Sequence, residues 1–230
     1  MLHHRLRAAS GARESGGGGV PMDYIARWDM NNDSTDETGN YNITLYGDAT
    51  QNTDSISYAV FCLYGQCSRL AFNDNEFTII LKFKAGSIDQ STGLWVACSR
   101  SNNTGIGYEW QILIYPPVSG NSILLSIKNS IGAEFLTTGP TITPGTVYTF
   151  AFRFTGEYVE IYDDTGALVA KTACTGTMNT GSLHTQFAKR GWEDASASFG
   201  EMDQYRGVAY DYALNGAELT SAIDKIKNGW

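Results

Sequence analysis

Gly200 to Ile226 reads GEMDQYRGVAYDYALNGAELTSAIDKI, and the reading of this stretch decides the fold. A last buried strand runs through the Tyr210-Asp211-Tyr212-Ala213-Leu214 turn and enters a short helix. The helix starts at Asn215, whose side chain can accept from the backbone. Glu218, three positions on, can reach back to complete a capping box. Leu219, Ala222, Ile223 and Ile226 then fall on one apolar stripe, so the helix is expected to pack on the body of the protein.

Upstream, the period changes from helical to two. Phe77, Ile79, Leu81 and Phe83 alternate with Thr78, Ile80, Lys82 and Lys84, the pattern of a strand with one wet face. Tyr148, Phe150, Phe152 and Phe154 alternate in the same way with Val147, Thr149, Ala151 and Arg153. A tight turn at Asp164-Thr165-Gly166 returns the chain through Ala167 to Lys171, so residues 146 to 171 read as strand, strand, hairpin and strand. Shorter runs recur at Asn42 to Tyr46, Leu94 to Ser99, Tyr108 to Tyr115 and Ser122 to Ile127. Many short strands separated by Gly, Asn, Asp, Ser or Pro point to a β-sandwich.

The 200 to 226 stretch resembles the closing motif of laminin G-like jelly rolls, in the concanavalin A-like lectin and glucanase superfamily. Tyr24 to Asp29 (YIARWD) looks like that family's opening strand, and Asp36 to Asn40 (DETGN) like its Asp-x-x-Gly-Asn turn. Phe77 to Phe83 and Gly145 to Gly166 match an aromatic-Thr-Ile strand and a pair of strands ending in a hairpin. The resemblance implies an all-β fold, a two-sheet antiparallel sandwich with a short C-terminal helix.

With 230 residues the chain is long enough for one sandwich with a sizeable core. Residues 22 to 230 are read as that domain. Residues 1 to 21 are basic, end in a glycine run and lack the apolar stretch of a secretory signal, so none is visible. They are read as a flexible arm or as a mis-assigned start before Met22. A net charge of -8 argues against a nucleic-acid partner, which needs clustered Lys and Arg. No apolar run approaches the roughly 20 residues of a membrane-spanning helix. Cys62, Cys67, Cys98 and Cys174 are read as free, partly buried thiols on strands. A Cys62 to Cys67 hairpin disulfide is the alternative, with Gly65 making the turn.

Glycoside hydrolysis needs two carboxyl groups about 5 to 9.5 Å apart. The superfamily's glucanases carry theirs as Glu-x-Asp-x-x-Glu, and that string is missing here. The nearest approaches are Glu157 with Asp163 and Glu193 with Asp194, and Glu160 is read as part of an exposed strand face. The chain is therefore expected to be noncatalytic. In many relatives calcium ties the opening strand to the last, and the resemblance implies Asp29 and Asp203 as its carboxylates, although extra residues between Asp203 and Leu214 depart from the pattern. Such a site needs about six to eight oxygens.

Sugar recognition needs a flat aromatic surface with planar polar groups beside it. Trp28, Trp95 and Trp110 lie inside strand patterns and are assigned to the core. Trp192 follows Gly191 in a charged loop, with Arg190 and Glu193 beside it, and is the leading ligand candidate. Asn102 and Asn103 in one loop, and Tyr115 at the Tyr-Pro-Pro corner, are the others. The function expected is glycan binding, as an extracellular or virion-associated module on a glycosylated surface or within a larger surface assembly such as a phage adhesin. A glycan hydrolase or lyase of the same fold, or a structural or protein-binding module, are the alternatives.

Overall fold

The computed structural model describes residues 19–30, 33–59, 63–72, 75–88, 93–101, 108–116, 119–179, 182–188 and 201–230. It is a sandwich of two antiparallel sheets. The first has the order β13 (Leu168–Ala173), β12 (Tyr158–Tyr162), β11 (Val147–Phe154), β6 (Phe77–Ala85), β15 (Met202–Tyr210), β4 (Ile56–Tyr58) and β3 (Thr50–Gln51). β1 (Ala26–Trp28) also pairs with β15, beyond the end of β4. The second runs β10 (Glu134–Thr141), β9 (Ser122–Lys128), β8 (Trp110–Ile114), β7 (Leu94–Ser101), β14 (Ser182–Phe187), β5 (Tyr64–Ser68) and β2 (Thr44–Tyr46). One helix, α1 (Gly216–Asn228), follows β15.

The core lies between the sheets, where Phe77, Leu81, Phe83 and Phe152 face Trp110, Ile112, Leu125 and Phe187. The opening strand enters it through Trp28, fully buried opposite Gly207. A Cβ at Gly207 would stand 3.1 Å from the Trp28 ring and 2.9 Å from Leu81, so only glycine lets the indole close on β15. The Trp28 indole N–H donates to the Tyr41 carbonyl at 2.8 Å. That carbonyl follows the Asp36 to Asn40 turn, whose buried Asp36 carboxylate accepts from the amides of Arg27, Asn40 and Tyr41. The acid is thus a backbone clamp joining β1 to the turn.

Helix α1 forms as its sequence dictates. Asn215 accepts from the amides of Ala217 and Glu218, and Glu218 accepts from the Asn215 amide. Its stripe of Leu219, Ala222, Ile223 and Ile226 packs on Ile80, Ala151, Val208 and Tyr210. This corrects the wet face expected for the central strand, because Thr78 and Ile80 are fully buried beneath the helix. Thr78 acts there as a polar rivet. Its hydroxyl donates to the Tyr212 carbonyl and accepts from the Leu214 amide, both at 3.0 Å, holding the corner that launches α1.

Glu160 is a second correction: it is buried on the outer face of the eight-stranded sheet, not exposed. Arg153 and Lys171 on the neighbouring strands meet it at 2.7 and 3.0 Å, and the Tyr162 hydroxyl donates to it. Burial alone would raise its pKa, but the hydrogen bonds from Lys171 and Arg153 outweigh that and hold the carboxyl below the usual range. Gly65 is a third. It lies inside β5, not in a turn, and a Cβ there would stand 2.6 Å from the Tyr58 hydroxyl. Two residues on, Cys67 is a free, buried thiol, as is Cys174, and Cys98 is buried, whereas Cys62 lies outside the described residues.

Candidate functional site

The seven-stranded sheet carries an organised layer of side chains on the side facing away from the core, buried at Cys98, Gln111, Leu124, Ser126 and Gln186 and open at Thr44, Tyr46, Tyr64 and Gln66. On β8 and β9, Trp110, Ile112, Ile114, Ile123, Leu125 and Ile127 point inward. The period of two then sends Gln111, Leu113, Leu124 and Ser126 to the outer face. On β14, β5 and β2 the inward residues are Phe187, Cys67 and Leu45, so Gln186, Gln66, Tyr64, Thr44 and Tyr46 face outward.

Register aligns these outward residues into rows across the sheet. One row runs through Leu136, Ser126, Gln111, Cys98, Gln186, Gln66 and Thr44. Its middle is a chain of planar amides: Gln186 donates to Gln66 at 2.8 Å, and the Trp95 indole donates to Gln111 at 3.1 Å. Gln186 is fully buried, yet its carbonyl oxygen has no partner. Among the described residues nothing pairs with it, and such an orphan costs about 1–3 kcal/mol. Farther along, the Tyr108 hydroxyl, the Ser126 hydroxyl and the Glu134 carboxylate are joined by hydrogen bonds.

The adjacent row is aromatic. Tyr46 and Tyr64, direct partners on β2 and β5, stack with ring centroids 4.5 Å apart and planes 4° from parallel. Tyr46 is 37% exposed. Trp95, with Leu113, Leu124 and Cys98, forms a small buried cluster separate from the main core, and Tyr115 packs against it. Trp95 is therefore buried as expected but on the opposite face from Trp28 and Trp110. Tyr115, Trp95, Tyr64 and Tyr46 share one end of the sheet, because Leu94 pairs with Ile114 and Phe187 with Gly65.

Of the residues singled out from the sequence, Trp192, Arg190, Glu193, Asn102 and Asn103 lie outside the described residues. Their attachment points are described. β7 ends at Ser101 opposite Ser182, whereas β14 ends at Phe187 opposite Ala97. β7 and β14 thus finish at opposite ends of the sheet, β14 at the aromatic one. Tyr46 and Tyr64 were missed from sequence, although Thr44-x-Tyr46 and Tyr64-x-Gln66 repeat one outward pattern. Both lie in strands too short for the alternation to stand out, three residues in β2 and five in β5.

Asp29 and Asp203 each already hold a cation of the protein. Asp29 pairs with Arg27 at 2.7 Å and lies 3.9 Å from Arg206. Asp203 pairs with Lys84 at 2.5 Å and accepts from the Ser57 hydroxyl at 2.6 Å. A calcium ion would have to displace these partners, and among the described residues no three His, Cys, Asp or Glu side chains gather as a ligand set. The arrangement does not fit a shared hard-cation site.

Comparison with solved structures gives the same architecture. The binding domain of botulinum neurotoxin serotype C1 superposes with a TM-score of 0.66 at 14% identity, covering 89% of this chain and 52% of that one. The binding domain of botulinum neurotoxin DC in complex with SialylT gives 0.69 at 13% identity, with 90% and 52% covered. Trypanosoma rangeli sialidase in complex with difluorosialic acid gives 0.70 at 10% identity, with 96% and 36% covered. The chain thus spans about half of the toxin domains and about a third of the sialidase. At these identities the likeness is one of β-sandwich jelly-roll fold. No protein-family model and no curated protein matches the sequence.

Proposed function

We propose that this chain is a noncatalytic recognition module of the laminin G-like type that binds glycans at the aromatic end of its seven-stranded sheet. The observation that carries the reading is the parallel-stacked Tyr46–Tyr64 pair, part-exposed on the outer face beside the Gln66–Gln186 amide pair. A sugar ring offers C–H faces to stack on tyrosine and hydroxyls that pair with amide groups. Gln66 is the part-exposed member of that amide pair, and Gln186 holds it in place from below. Trp192, Arg190 and Glu193, which follow β14 at this end, belong to the same proposed surface, and Tyr115 borders it. Asn102 and Asn103 stay candidates from the sequence.

Support comes also from what the solved neighbours are described with: ganglioside molecules for botulinum neurotoxin type C, SialylT for the DC domain, and difluorosialic acid for the sialidase. A noncatalytic role agrees with the lack of the Glu-x-Asp-x-x-Glu string and with Glu160 being held by two cations. The test is glycan-array binding of the wild type, Tyr46→Ala and Tyr64→Ala. The reading expects array signal that both substitutions reduce. An array without signal, or signal indifferent to both substitutions, contradicts it, and turnover of a bound glycan would replace it with a hydrolase or lyase.

A further inference from the structure

The eight-stranded sheet has a notch in it. β12 stops at Tyr162 opposite Ala151, whereas β11 continues to Val147, paired all the way with β6. Among the described residues, Val147, Tyr148, Thr149 and Phe150 therefore have a strand on one side and none on the other. In an antiparallel strand alternate residues turn their N–H and C=O to each side, so part of this backbone faces the notch. The notch opens as a cleft of about 570 Å³ lined by these four residues, with Pro140 and Val169 completing its apolar wall. That volume suits a small ligand.

Four charged side chains share the lining, and three are already engaged. Asp164 pairs with Lys227 at 2.6 Å. One oxygen of Asp163 accepts from the Thr165 amide, the Thr165 hydroxyl and the Ala167 amide, closing the hairpin tip. Lys82 differs. Its ammonium donates to the Lys227 carbonyl at 2.7 Å, and among the described residues no carboxylate pairs with it. Burial, followed by the positive charge of Arg206 and then that of Lys227, lowers its pKa; Asp54 acts in the opposite sense without making an ion pair and does not offset them.

We propose that this cleft binds a carboxylate-bearing pyranose, such as a uronic or sialic acid residue of a glycan, with its carboxylate on Lys82 and its C–H face against Val147 and Val169. The bare edge of β11 and the free oxygens of Asp163 and Asp164 serve the ring hydroxyls, which a purely apolar acid would leave unused. The inference rests on glycan recognition as the function, but adds a second site on the opposite sheet from Tyr46 and Tyr64.

The probes are N-acetylneuraminic acid, glucuronic acid and glucose, titrated into the full chain by calorimetry and by amide chemical shifts. Both acids are expected to bind and to shift the amides of residues 147–150, and glucose is not. Lys82→Gln, which keeps a donor for the Lys227 carbonyl but not the charge, should weaken acid binding about 10- to 100-fold. Val147→Asp, at a position 45% exposed, should also weaken it, by placing a like charge at the cleft mouth. Ile131→Ala, 87% exposed and lining neither surface, should leave it unchanged. Equal binding of glucose and the acids overturns the proposal, as does acid binding indifferent to both cleft substitutions. Acid binding that disappears with Tyr46→Ala and survives Lys82→Gln returns the ligand to the tyrosine surface. Acid binding at Lys82 with array signal indifferent to Tyr46 and Tyr64 sinks the tyrosine site alone.

Discussion

At the residue scale, environment decides what each side chain can do. Tyr46 is part-exposed and stacked, so removing its ring subtracts contact surface without opening the core. Tyr46→Ala should weaken glycan binding by about 1–3 kcal/mol, the scale of losing a central aromatic at an interface. The same change should alter stability by less than about 1 kcal/mol, as measured by urea unfolding. Glu160 is the opposite case. Its carboxylate is enclosed by Arg153, Lys171 and the Tyr162 hydroxyl, and burial pushes that hydroxyl up to about 12. Because Glu160 is held below its ordinary value of 4.5, its stabilisation is complete above that pH and is lost as pH falls through the lower folded value. Glu160→Gln should therefore cost about 1–3 kcal/mol at pH 7. The gap from wild type should narrow in acid, and a gap of equal size at pH 7 and pH 3 would refute the assignment.

At the element scale, α1 shows how a local signal and a long-range one combine. Its capping box is complete, with Asn215 and Glu218 each satisfying the other's backbone. Asn215→Ala should destabilise the domain by about 0.5–2 kcal/mol. Ile223 has almost no exposed surface between the helix and β6. Ile223→Ala should cost about 2–5 kcal/mol, and its thermal unfolding should remain a single transition, because α1 covers the sheet that carries Thr78 and Ile80. The start, stripe and packing role of this helix were legible between Asn215 and Ile226. Which strands it covers was not. Alternation at Thr78 to Lys84 separates two faces of a strand but cannot tell water from a helix arriving more than a hundred residues later.

For the whole molecule, charge balance at the sheet margins stands in for a shared metal. Arg27 and Arg206 attend Asp29, and Lys84 attends Asp203. Chelator should accordingly leave the melting temperature unchanged, since only a ligand bound by the native state raises it by mass action. A fall in melting temperature that calcium restores would show that these acids re-aim to take an ion.

The sequence by itself determined the two-sheet sandwich, the central strands, the 164 to 166 turn, the capped helix and the burial of Trp28, Trp110 and Trp95, because each is written in short-range periodicity or in turn and cap chemistry. Tertiary structure decided the rest. Tyr46 meets Tyr64, Gln66 meets Gln186, and Glu160 meets Lys171 only through strand register, and a slip of one residue would turn every one of these side chains to the other face. Trp95 was legible as buried, but its separation from the main core depends on which face of β7 it occupies. The notch beside Val147 to Phe150 exists because β12 turns away four residues before β11 ends, a mismatch of lengths between strands that no single strand's pattern contains.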